Sequence, residues 1–254
     1  MTLLKRDDTD LYYETTGTGS PVLLTHGFAA TSSMWRAQVD ALEEQHELIR
    51  WDLRGHGQTI TPAESALYSV EDTVADMAAL LDELGHERAV LGGHSLGGYL
   101  SLAFALHHPE RVRALVLIGT GPGYKKDAPR DEWNKMVSGL GERLDKRGLG
   151  VLEKMSAEMD PREHGSATSL GLAAKGILVQ RDRKIIDSLP DVRVPTLVIV
   201  GAKDRGFIGA SDYMTQKIPD AELITIPNAG HAVNAHQPQL FNAALAKFLS
   251  RIQS

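Results

Sequence analysis

The hydrophobic pattern alternates between short apolar runs and longer segments with helical periodicity. Four runs are apolar at nearly every position, at residues 22–24, 89–91, 114–118 and 196–200. Strands that are apolar on both faces are typical of a parallel sheet covered by helices on each side. Residues 11–15, 48–52 and 223–226 predict further strands.

Segments between these runs place their apolar residues on one face of a helix. The first such set is Val74, Met77, Ala78, Leu81 and Leu84, and the last is Phe241, Leu245, Phe248 and Ile252. A regular alternation of strand and helix predicts an α/β fold whose parallel strands are joined by right-handed crossovers.

The alternation breaks between residues 120 and 190. No strand-like run occurs there, and we expect glycines to separate the helical segments. These are Gly139, Gly141, Gly148, Gly150, Gly165 and Gly171. The segment has 13 Lys and Arg against 11 Asp and Glu, whereas the chain as a whole is acidic. We therefore predict a core of residues 1–119 and 191–254, with 120–190 as a helical lid over the sheet. Extra helices packed on the side are the alternative.

Composition narrows the class of protein. The chain has 254 residues and a formal net charge of −6, so it lacks the basic footprint of a nucleic-acid-binding protein. The absence of cysteine excludes disulfides, cysteine-bound metal and thiol catalysis. At the N-terminus charge precedes any long apolar stretch, and no window has the length of a membrane span. We expect a cytoplasmic protein that binds neither nucleic acid nor membranes.

A serine follows the 89–91 run in a sharp turn. The turn is Gly92-Gly93-His94-Ser95-Leu96-Gly97-Gly98, and a helical pattern follows directly. A non-glycine residue in so tight a turn crowds the residues two before and two after it, and Gly93 and Gly97 are small. Ser95 would lie at a helix N-terminus, which favours a developing anion. Because strand, turn and helix together match a nucleophile elbow, Ser95 is the candidate nucleophile.

A serine nucleophile needs a base, and the base needs an acceptor that fixes its tautomer. His231 follows the 223–226 strand after a short loop, and Asp204 follows the 196–200 strand. Both therefore lie beyond the carboxyl ends of parallel strands, where ligands bind in α/β sheets. We predict that His231 is the base and Asp204 the acid.

Other residues compete for these two roles. The histidines are His94, His107, His108 and His236, and the carboxylates are Asp127 and Asp212. We expect the His94 side chain to point away from the nucleophile, because the two residues are adjacent. The other three histidines lie on helices or at their ends, where histidines are usually solvated or structural. Asp127 does not closely follow the strand that precedes it.

A second turn, Thr25-His26-Gly27-Phe28, follows the 22–24 run. Gly27 permits an unusual backbone turn, so that the Phe28 amide would face the reaction centre. With the Leu96 amide it would form an oxyanion hole, a pair of backbone donors for a developing negative charge. A plain strand-ending turn is the alternative.

Together these motifs resemble the α/β-hydrolase superfamily over nearly the whole chain. Besides the serine turn they are His26-Gly27-Phe28, Asp52-Leu53-Arg54-Gly55-His56-Gly57, His108-Pro109-Glu110-Arg111-Val112 and Gly230-His231. The resemblance implies a mostly parallel eight-stranded sheet flanked by helices, and the chain order Ser95, Asp204, His231 is that of the family's triad. It is strongest to lid-bearing bacterial esterases, enol-lactonases and carbon–carbon bond hydrolases. Relatives that are dehalogenases or epoxide hydrolases carry aspartate at the elbow, so Ser95 argues against those reactions.

The resemblance implies a serine hydrolase that cleaves a small to medium carboxylic ester through an acyl-enzyme. The same triad would serve a lactonase or a hydrolase of vinylogous diketones, and a catalytically weak ligand-binding protein is the alternative of another class. We expect no cofactor and no metal, because the Asp52 to Gly57 segment lacks the spaced ligands that metals require. Relatives often have glutamate where His236 stands, a departure that we expect to affect helix entry and not catalysis. The oligomeric state stays open.

The predicted lid has few aromatic residues, Tyr124 and Trp133, and it also contains Met136, Met155 and Met159. Methionines adapt to irregular apolar pockets, but at helical spacing they are more often part of a core. Both interpretations stay open.

Overall fold

The strands form one sheet with a mostly parallel arrangement. The computed structural model describes residues 2–6, 8–155 and 159–252; Met1 and Asp7 of the N-terminal segment, and residues 156–158 of the predicted lid, lie outside the described residues, as do 253–254. The strands are β1 (Thr2–Lys5), β2 (Asp10–Thr16), β3 (Ser20–Thr25), β4 (His46–Trp51), β5 (Ala89–His94), β6 (Val112–Ile118), β7 (Thr196–Gly201) and β8 (Ala221–Ile226). Their order is β1-β2-β4-β3-β5-β6-β7-β8.

The direction of the strands places the loops that follow β3 to β8 at one edge of the sheet. β2 pairs antiparallel with β1 and with β4. Every other neighbouring pair is parallel. The carboxyl ends of β3 to β8 therefore meet at the same edge of the sheet, which confirms the predicted α/β architecture.

All seven strands predicted from the apolar pattern are confirmed, and β1 is the addition. Its two apolar residues, Leu3 and Leu4, are only partly buried, and it lies at the edge of the sheet. β1 pairs with β2 in antiparallel register, with Leu4 opposite Leu11. A four-residue edge strand of this kind depends on its neighbour and has too short a pattern to be read alone.

The sheet is covered by helices on both faces. The helices are α1 (Arg36–Leu42), α2 (Val70–Glu83), α3 (Leu96–His107), α4 (Asp127–Arg147), α5 (Ala167–Gly176), α6 (Lys184–Ser188), α7 (Ile208–Lys217), α8 (Val233–His236) and α9 (Pro238–Ile252). Within the described part of the chain, none of them has the length and apolar character needed to cross a bilayer.

Alternate residues of the central strands face two separate cores. In β6, Leu115 and Leu117 join the core that includes residues of α2, α3 and α7, whereas Val116 joins the core that includes α1 and α9. The helical patterns predicted for α2 and α9 are confirmed, since Met77 and Phe241 are fully buried on their respective faces. Burial on both faces explains the continuous apolar runs of the central strands.

Between β6 and β7 the structure contains helices and no strand among the described residues 119–155 and 159–195. The expectation that glycines separate the helices is wrong for Gly139 and Gly141, which lie inside α4, and for Gly171, which lies inside α5. A Cβ on Gly141 would lie 2.7 Å from the Gly171 carbonyl oxygen. The two glycines are thus sites of close helix contact. Gly148, with φ of 71°, does end α4.

Candidate active site

Ser95 occupies the turn between β5, which ends at His94, and α3, which begins at Leu96. Its φ of 51° and ψ of −114° are strained for a residue with a side chain. The Ser95 amide donates to the Ile118 carbonyl at 2.8 Å, and the Thr120 hydroxyl donates to the Ser95 carbonyl at 2.6 Å. The turn is therefore bound to the last residue of β6 through its amide and to the loop after β6 through its carbonyl.

Two glycines make this turn sterically possible. A Cβ on Gly93 would lie 2.1 Å from the Gly97 carbonyl oxygen, and a Cβ on Gly97 would lie 2.1 Å from the Thr25 carbonyl oxygen. Neither backbone neighbour can retreat without moving a strand or a helix. The requirement for small residues two before and two after Ser95 follows from these contacts.

His231 and Asp204 form a hydrogen-bonded pair at the carboxyl ends of two neighbouring strands. Asp204 follows β7 and His231 follows β8, and the strands are in register up to Gly201 and Ile226. The distance from His231 Nδ1 to Asp204 Oδ2 is 2.8 Å. The carboxylate is buried, whereas the imidazole is partly exposed. Because Nδ1–H donates to the carboxylate, Nε2 of the neutral ring is left as the proton acceptor.

The serine turn and this pair share one edge of the sheet. The Ser95 amide donates to the Ile118 carbonyl, and the next residue, Gly119, lies close to the His231–Asp204 pair. A Cβ on Gly119 would lie 3.3 Å from Asp204 Oδ2 and 3.4 Å from His231 Nδ1. The structure thus brings all three predicted residues to the end of β5, β6, β7 and β8.

Two aromatic rings that sequence reasoning missed position His231. The Phe207 ring stacks on the imidazole at a centroid distance of 4.8 Å and an angle of 20°. His94 Nε2 lies 3.0 Å from the His231 carbonyl oxygen, and the two imidazoles are 4.6 Å apart. The prediction for His94 addressed only its direction relative to the serine, and no spacing in the chain signals this contact.

His236 supports the loop that carries His231. Its Nδ1 accepts a hydrogen bond from the Gly230 amide at 3.0 Å. The residue that departs from the family pattern therefore fixes the backbone beside the candidate base. The exposed positions of His107, Asp127 and Asp212 remove them from the site, and His108 packs against Phe104.

The amides of Phe28 and Leu96 are available as donors. Both residues are buried. Among the described residues, neither amide donates to a backbone or side-chain acceptor. The loop containing Phe28 passes close to the serine, since a Cβ on Gly27 would lie 3.3 Å from Ser95 Cβ. Both residues therefore adjoin the serine, Leu96 in the sequence and Phe28 through the loop that contains Gly27.

The His26 side chain fixes that loop from behind. His26 Nδ1–H donates to the Gly27 carbonyl at 2.7 Å, and Nε2 accepts from the Leu53 amide at 2.9 Å. Burial lowers the pKa of His26 to about 4, in spite of the nearby Asp52 carboxylate. The ring is therefore neutral at pH 7, and both of its nitrogens hold backbone groups.

The segment from Asp52 to Gly57 is built from structural contacts. The Asp52 carboxylate accepts from the Ser32 and Gln58 amides at 2.7 and 2.8 Å. The buried Arg54 guanidinium forms an ion pair with Asp76 at 2.6 Å. Within the part of the chain that the structure describes, no group of three or more His, Asp or Glu side chains is arranged to hold a metal ion.

A cavity of about 150 Å³ opens beside the serine. It is lined by Ser95, Leu96, Tyr99, Thr120, Gly121, Pro122, Gly123, Tyr124, Trp133, Leu178, Gln180, Gly206, Phe207 and Ala210. Tyr124 and Trp133 thus line it, whereas Met136 and Met155 are exposed. Burial raises the pKa of Tyr99 to about 12, so its hydroxyl is neutral at pH 7. The lining contains no charged side chain.

Fold and site together define an α/β hydrolase. The family model described as alpha/beta hydrolase fold matches residues 20–155, more than half of the chain. The chain belongs to this family, and it is a hydrolase.

The similarity to known proteins extends over nearly the full length of this chain. The protein named "Putative carbamate hydrolase RutD" from Azorhizobium caulinodans is 31% identical over 96% of this chain and 97% of its own. The pimeloyl-[acyl-carrier protein] methyl ester esterase of Nitrosomonas europaea is 29% identical over 91% of this chain and 96% of its own. Among solved structures, a thermophilic esterase from Thermogutta terrifontis matches with a TM-score of 0.87 and 28% identity, covering 100% of both chains.

Proposed function

We propose that this chain is a serine hydrolase that cleaves a small to medium carboxylic ester through an acyl-enzyme. One observation carries the proposal: a serine in a strained turn lies at the same sheet edge as a 2.8 Å His231–Asp204 pair. Backbone strain at a non-glycine residue persists only where the surrounding structure enforces it, and it is typical of catalytic positions. The imidazole–carboxylate pair supplies the oriented base that a serine hydroxyl requires.

The chemistry follows from the protonation states of these groups. Ser95 Oγ attacks the ester carbonyl carbon while His231 Nε2 accepts the hydroxyl proton. The carbon–oxygen bond to the alcohol then breaks, and His231 returns the proton to the leaving alcohol. A water deprotonated by the same imidazole attacks the acyl carbon. The bond between that carbon and Ser95 Oγ then breaks, His231 returns the proton to Oγ, and the acid is released. Asp204 stays ionised and holds the ring by its 2.8 Å hydrogen bond throughout.

The tetrahedral intermediate carries a negative charge that needs donors. Leu96 follows the serine directly and Phe28 belongs to the loop that passes close to it, so we assign their amides as these donors. Each such donor contributes roughly 3 kcal/mol in the transition state. Because both donors are main-chain groups, substitution of the Phe28 or Leu96 side chain need not abolish turnover.

An uncharged ester is the substrate class that the cavity favours. Its lining is mostly apolar and holds no side chain that would pair with a substrate carboxylate or ammonium. Two of the similar proteins are esterases by name, and a third is named for carbamate hydrolysis. A lactone or a vinylogous diketone would be attacked by the same serine and is the second candidate.

We further propose that residues 120–190 act as a lid. Tyr124, Trp133, Leu178 and Gln180 from this segment line the cavity opposite Ser95. The segment also contacts the core near the candidate oxyanion hole, since His164 Nε2 lies 3.1 Å from the Ala29 carbonyl oxygen. The lid thus contributes one wall of the substrate site.

The test is a substrate panel with two serine variants. The panel holds p-nitrophenyl esters of increasing chain length, a carbamate, a lactone and a dienone. Ser95→Ala should lower kcat/KM by roughly 10⁴-fold or more while the protein stays folded. Ser250→Ala, at an exposed position of α9, is the matched control and should leave it unchanged.

The panel separates the candidate functions. Highest kcat/KM on an ester supports the proposal, and highest kcat/KM on the lactone or the dienone identifies the second candidate. Binding of these compounds without turnover would assign the chain to ligand-binding proteins with the hydrolase fold. Full activity of Ser95→Ala would refute the role of the serine.

A further inference from the structure

The loop that carries the Phe28 amide contains two peptide groups linked by one hydrogen bond. The Ala30 amide donates to the Gly27 carbonyl at 3.2 Å, so residues 27–30 form a tight turn. Gly27 C=O and Phe28 N–H belong to one planar peptide group and point in opposite directions. A contact that fixes the Gly27 carbonyl therefore also fixes the direction of the Phe28 N–H, which we assigned above to the oxyanion hole.

This turn contains a strained residue. Ala29 has a φ of 56°, in the left-handed region that a residue with a side chain rarely adopts. Such a conformation persists only where the surrounding structure enforces it. Without an external contact Ala29 would favour a negative φ, and that rotation would turn the peptide group between Ala29 and Ala30. The shape of the turn therefore depends on a contact that holds this peptide group.

That contact comes from the proposed lid. His164 is buried, and its Nε2 lies 3.1 Å from the Ala29 carbonyl oxygen. His164 Nδ1 accepts a hydrogen bond from the Gly57 amide at 3.2 Å, which leaves Nε2–H as the donor to Ala29. Burial also lowers the pKa of His164, so the ring is neutral at pH 7. Because Ala29 C=O and Ala30 N–H share one peptide group, holding the first also holds the donor to Gly27.

The residue before His164 binds the same loop. The Glu163 carboxylate accepts from the Thr31 hydroxyl at 2.6 Å and from the Ser33 hydroxyl at 2.8 Å. Two successive lid residues thus contact the loop at Ala29, Thr31 and Ser33. The place of His164 relative to the turn therefore does not depend on a single hydrogen bond.

We propose that His164 is a positioning residue for the oxyanion hole. Its Nε2–H holds the Ala29–Ala30 peptide group and, through the Gly27 carbonyl, the direction of the Phe28 N–H. The proposal rests on the serine hydrolase function proposed above, and it gives the lid a part in the chemistry. Since His164 acts only through the backbone, its loss should weaken stabilisation of the transition state and leave substrate binding unchanged.

Three substitutions separate the two hydrogen bonds of the His164 ring. His164→Gln places an N–H near the position of Nε2 and keeps the bond to Ala29. His164→Asn reaches only the position of Nδ1, so it keeps an acceptor for the Gly57 amide and loses the donor to Ala29. His164→Met fills the space and loses both bonds.

The kinetic readout is kcat and KM on the best ester of the panel above. In His164→Asn and His164→Met, kcat should fall by about 10- to 50-fold with KM within about twofold of wild type. This loss is smaller than the roughly 10²- to 10³-fold of a deleted donor, because His26 still holds the Gly27 carbonyl at 2.7 Å. In His164→Gln kcat should stay within about threefold of wild type. His107→Asn, at an exposed position of α3, is the matched control and should be unchanged.

An inhibitor pair tests the hole without turnover. When pentyl trifluoromethyl ketone binds, Ser95 Oγ bonds to its carbonyl carbon, the hydroxyl proton passes to His231 Nε2, and the carbonyl oxygen becomes an oxyanion. Its inhibition constant should rise by about 10- to 50-fold in His164→Asn. The corresponding secondary alcohol forms no adduct, and its inhibition constant should not change. An equal rise for both compounds would indicate a damaged cavity and overturn the proposal.

The kinetic results also distinguish this proposal from the proposed function. Wild-type kcat in His164→Asn, or equal losses in His164→Asn and His164→Gln, overturns the role of His164. So does an effect on KM alone. In these cases hydrolysis that still depends on Ser95 leaves the serine hydrolase function standing, whereas absence of Ser95-dependent hydrolysis overturns both. Should His164→Met fail to fold, as urea unfolding would show, the comparison of His164→Asn with His164→Gln decides.

Discussion

Acidification should destabilise this protein through its buried histidines. Burial lowers the pKa of His26 to about 4 and, together with the nearby His231, the pKa of His94 to about 3. In the unfolded chain each would titrate near its ordinary pKa of about 6.5. Between these values the unfolded state binds a proton that the folded state does not. The free energy of unfolding therefore falls as the pH drops below about 6.5 and levels off only near the folded-state pKa.

The structure explains why the folded state resists protonation. His26 Nε2 accepts from the Leu53 amide, so a proton there would break that hydrogen bond. His94 Nδ1 is buried without a partner among the described residues, so a proton there would find no acceptor. The titratable groups that face these rings are His56, His164, His231, His236, Asp52 and Glu163.

The expected magnitude follows from the two pKa values. One pKa unit corresponds to about 1.4 kcal/mol, so moving from pH 6.5 to pH 5 costs about 2 kcal/mol at each site. His26 and His94 together give about 4 kcal/mol, against a typical domain stability of about 5–15 kcal/mol. Burial also lowers the pKa of His56 and of His164, which adds to the loss in the same direction.

Urea unfolding followed by tryptophan fluorescence at pH 7, 6 and 5 measures this dependence. His56→Asn removes one buried site whose pKa burial lowers, and should therefore reduce the loss between pH 6.5 and 5. His107→Asn, at an exposed position of α3, is the control and should keep the wild-type dependence. A wild-type stability at pH 5 equal to or above that at pH 7, or a wild-type slope in His56→Asn, would refute the reasoning.

Three further predictions concern the proposed triad, the contact between α4 and α5, and the core. Asp204→Asn should lower kcat by roughly 10⁴-fold, because the amide no longer holds the imidazole in the required tautomer; ester kinetics would show this, and a loss below tenfold would contradict it. Gly141→Ala should lower the free energy of unfolding, measured in urea, by about 1–3 kcal/mol, since its Cβ would lie 2.7 Å from the Gly171 carbonyl oxygen. Gly139→Ala, whose nearest neighbour would be 3.7 Å away in the same helix, should instead stabilise by about 0.5–1 kcal/mol, and equal effects would disprove the close-contact role. Phe241→Ala should cost about 3–5 kcal/mol in urea unfolding at this fully buried position, and a cost below 1 kcal/mol would be evidence against it.

The apolar pattern predicts those strands that are buried on both faces, because burial leaves a signal within the strand itself. It does not predict β1, whose place depends on pairing with β2. The same pattern wrongly predicts breaks at the glycines of α4, because a glycine in a helix is costly by itself. The folded structure gives the reason for Gly141: α5 lies so close that there is no room for a side chain at this position.

In the candidate site, too, some features have a signal within a short segment and others depend on contacts between distant residues. Ser95 and its flanking glycines carry a local steric signal, and the places of Asp204 and His231 follow from strand ends. The contacts of Phe207 and His94 with His231 join residues far apart in the chain, so no spacing predicts them. The place of Gln180 in the same cavity as Ser95 likewise depends on the folded chain and on no spacing in the sequence.

The most direct measurement is the site of covalent labelling by a fluorophosphonate, which reacts with an activated serine. Intact-mass and peptide analysis should show one adduct per chain, located on Ser95, and the labelling should be largely lost in His231→Ala. Labelling that falls on another residue, or that proceeds at the wild-type rate without the imidazole, would contradict the proposed triad.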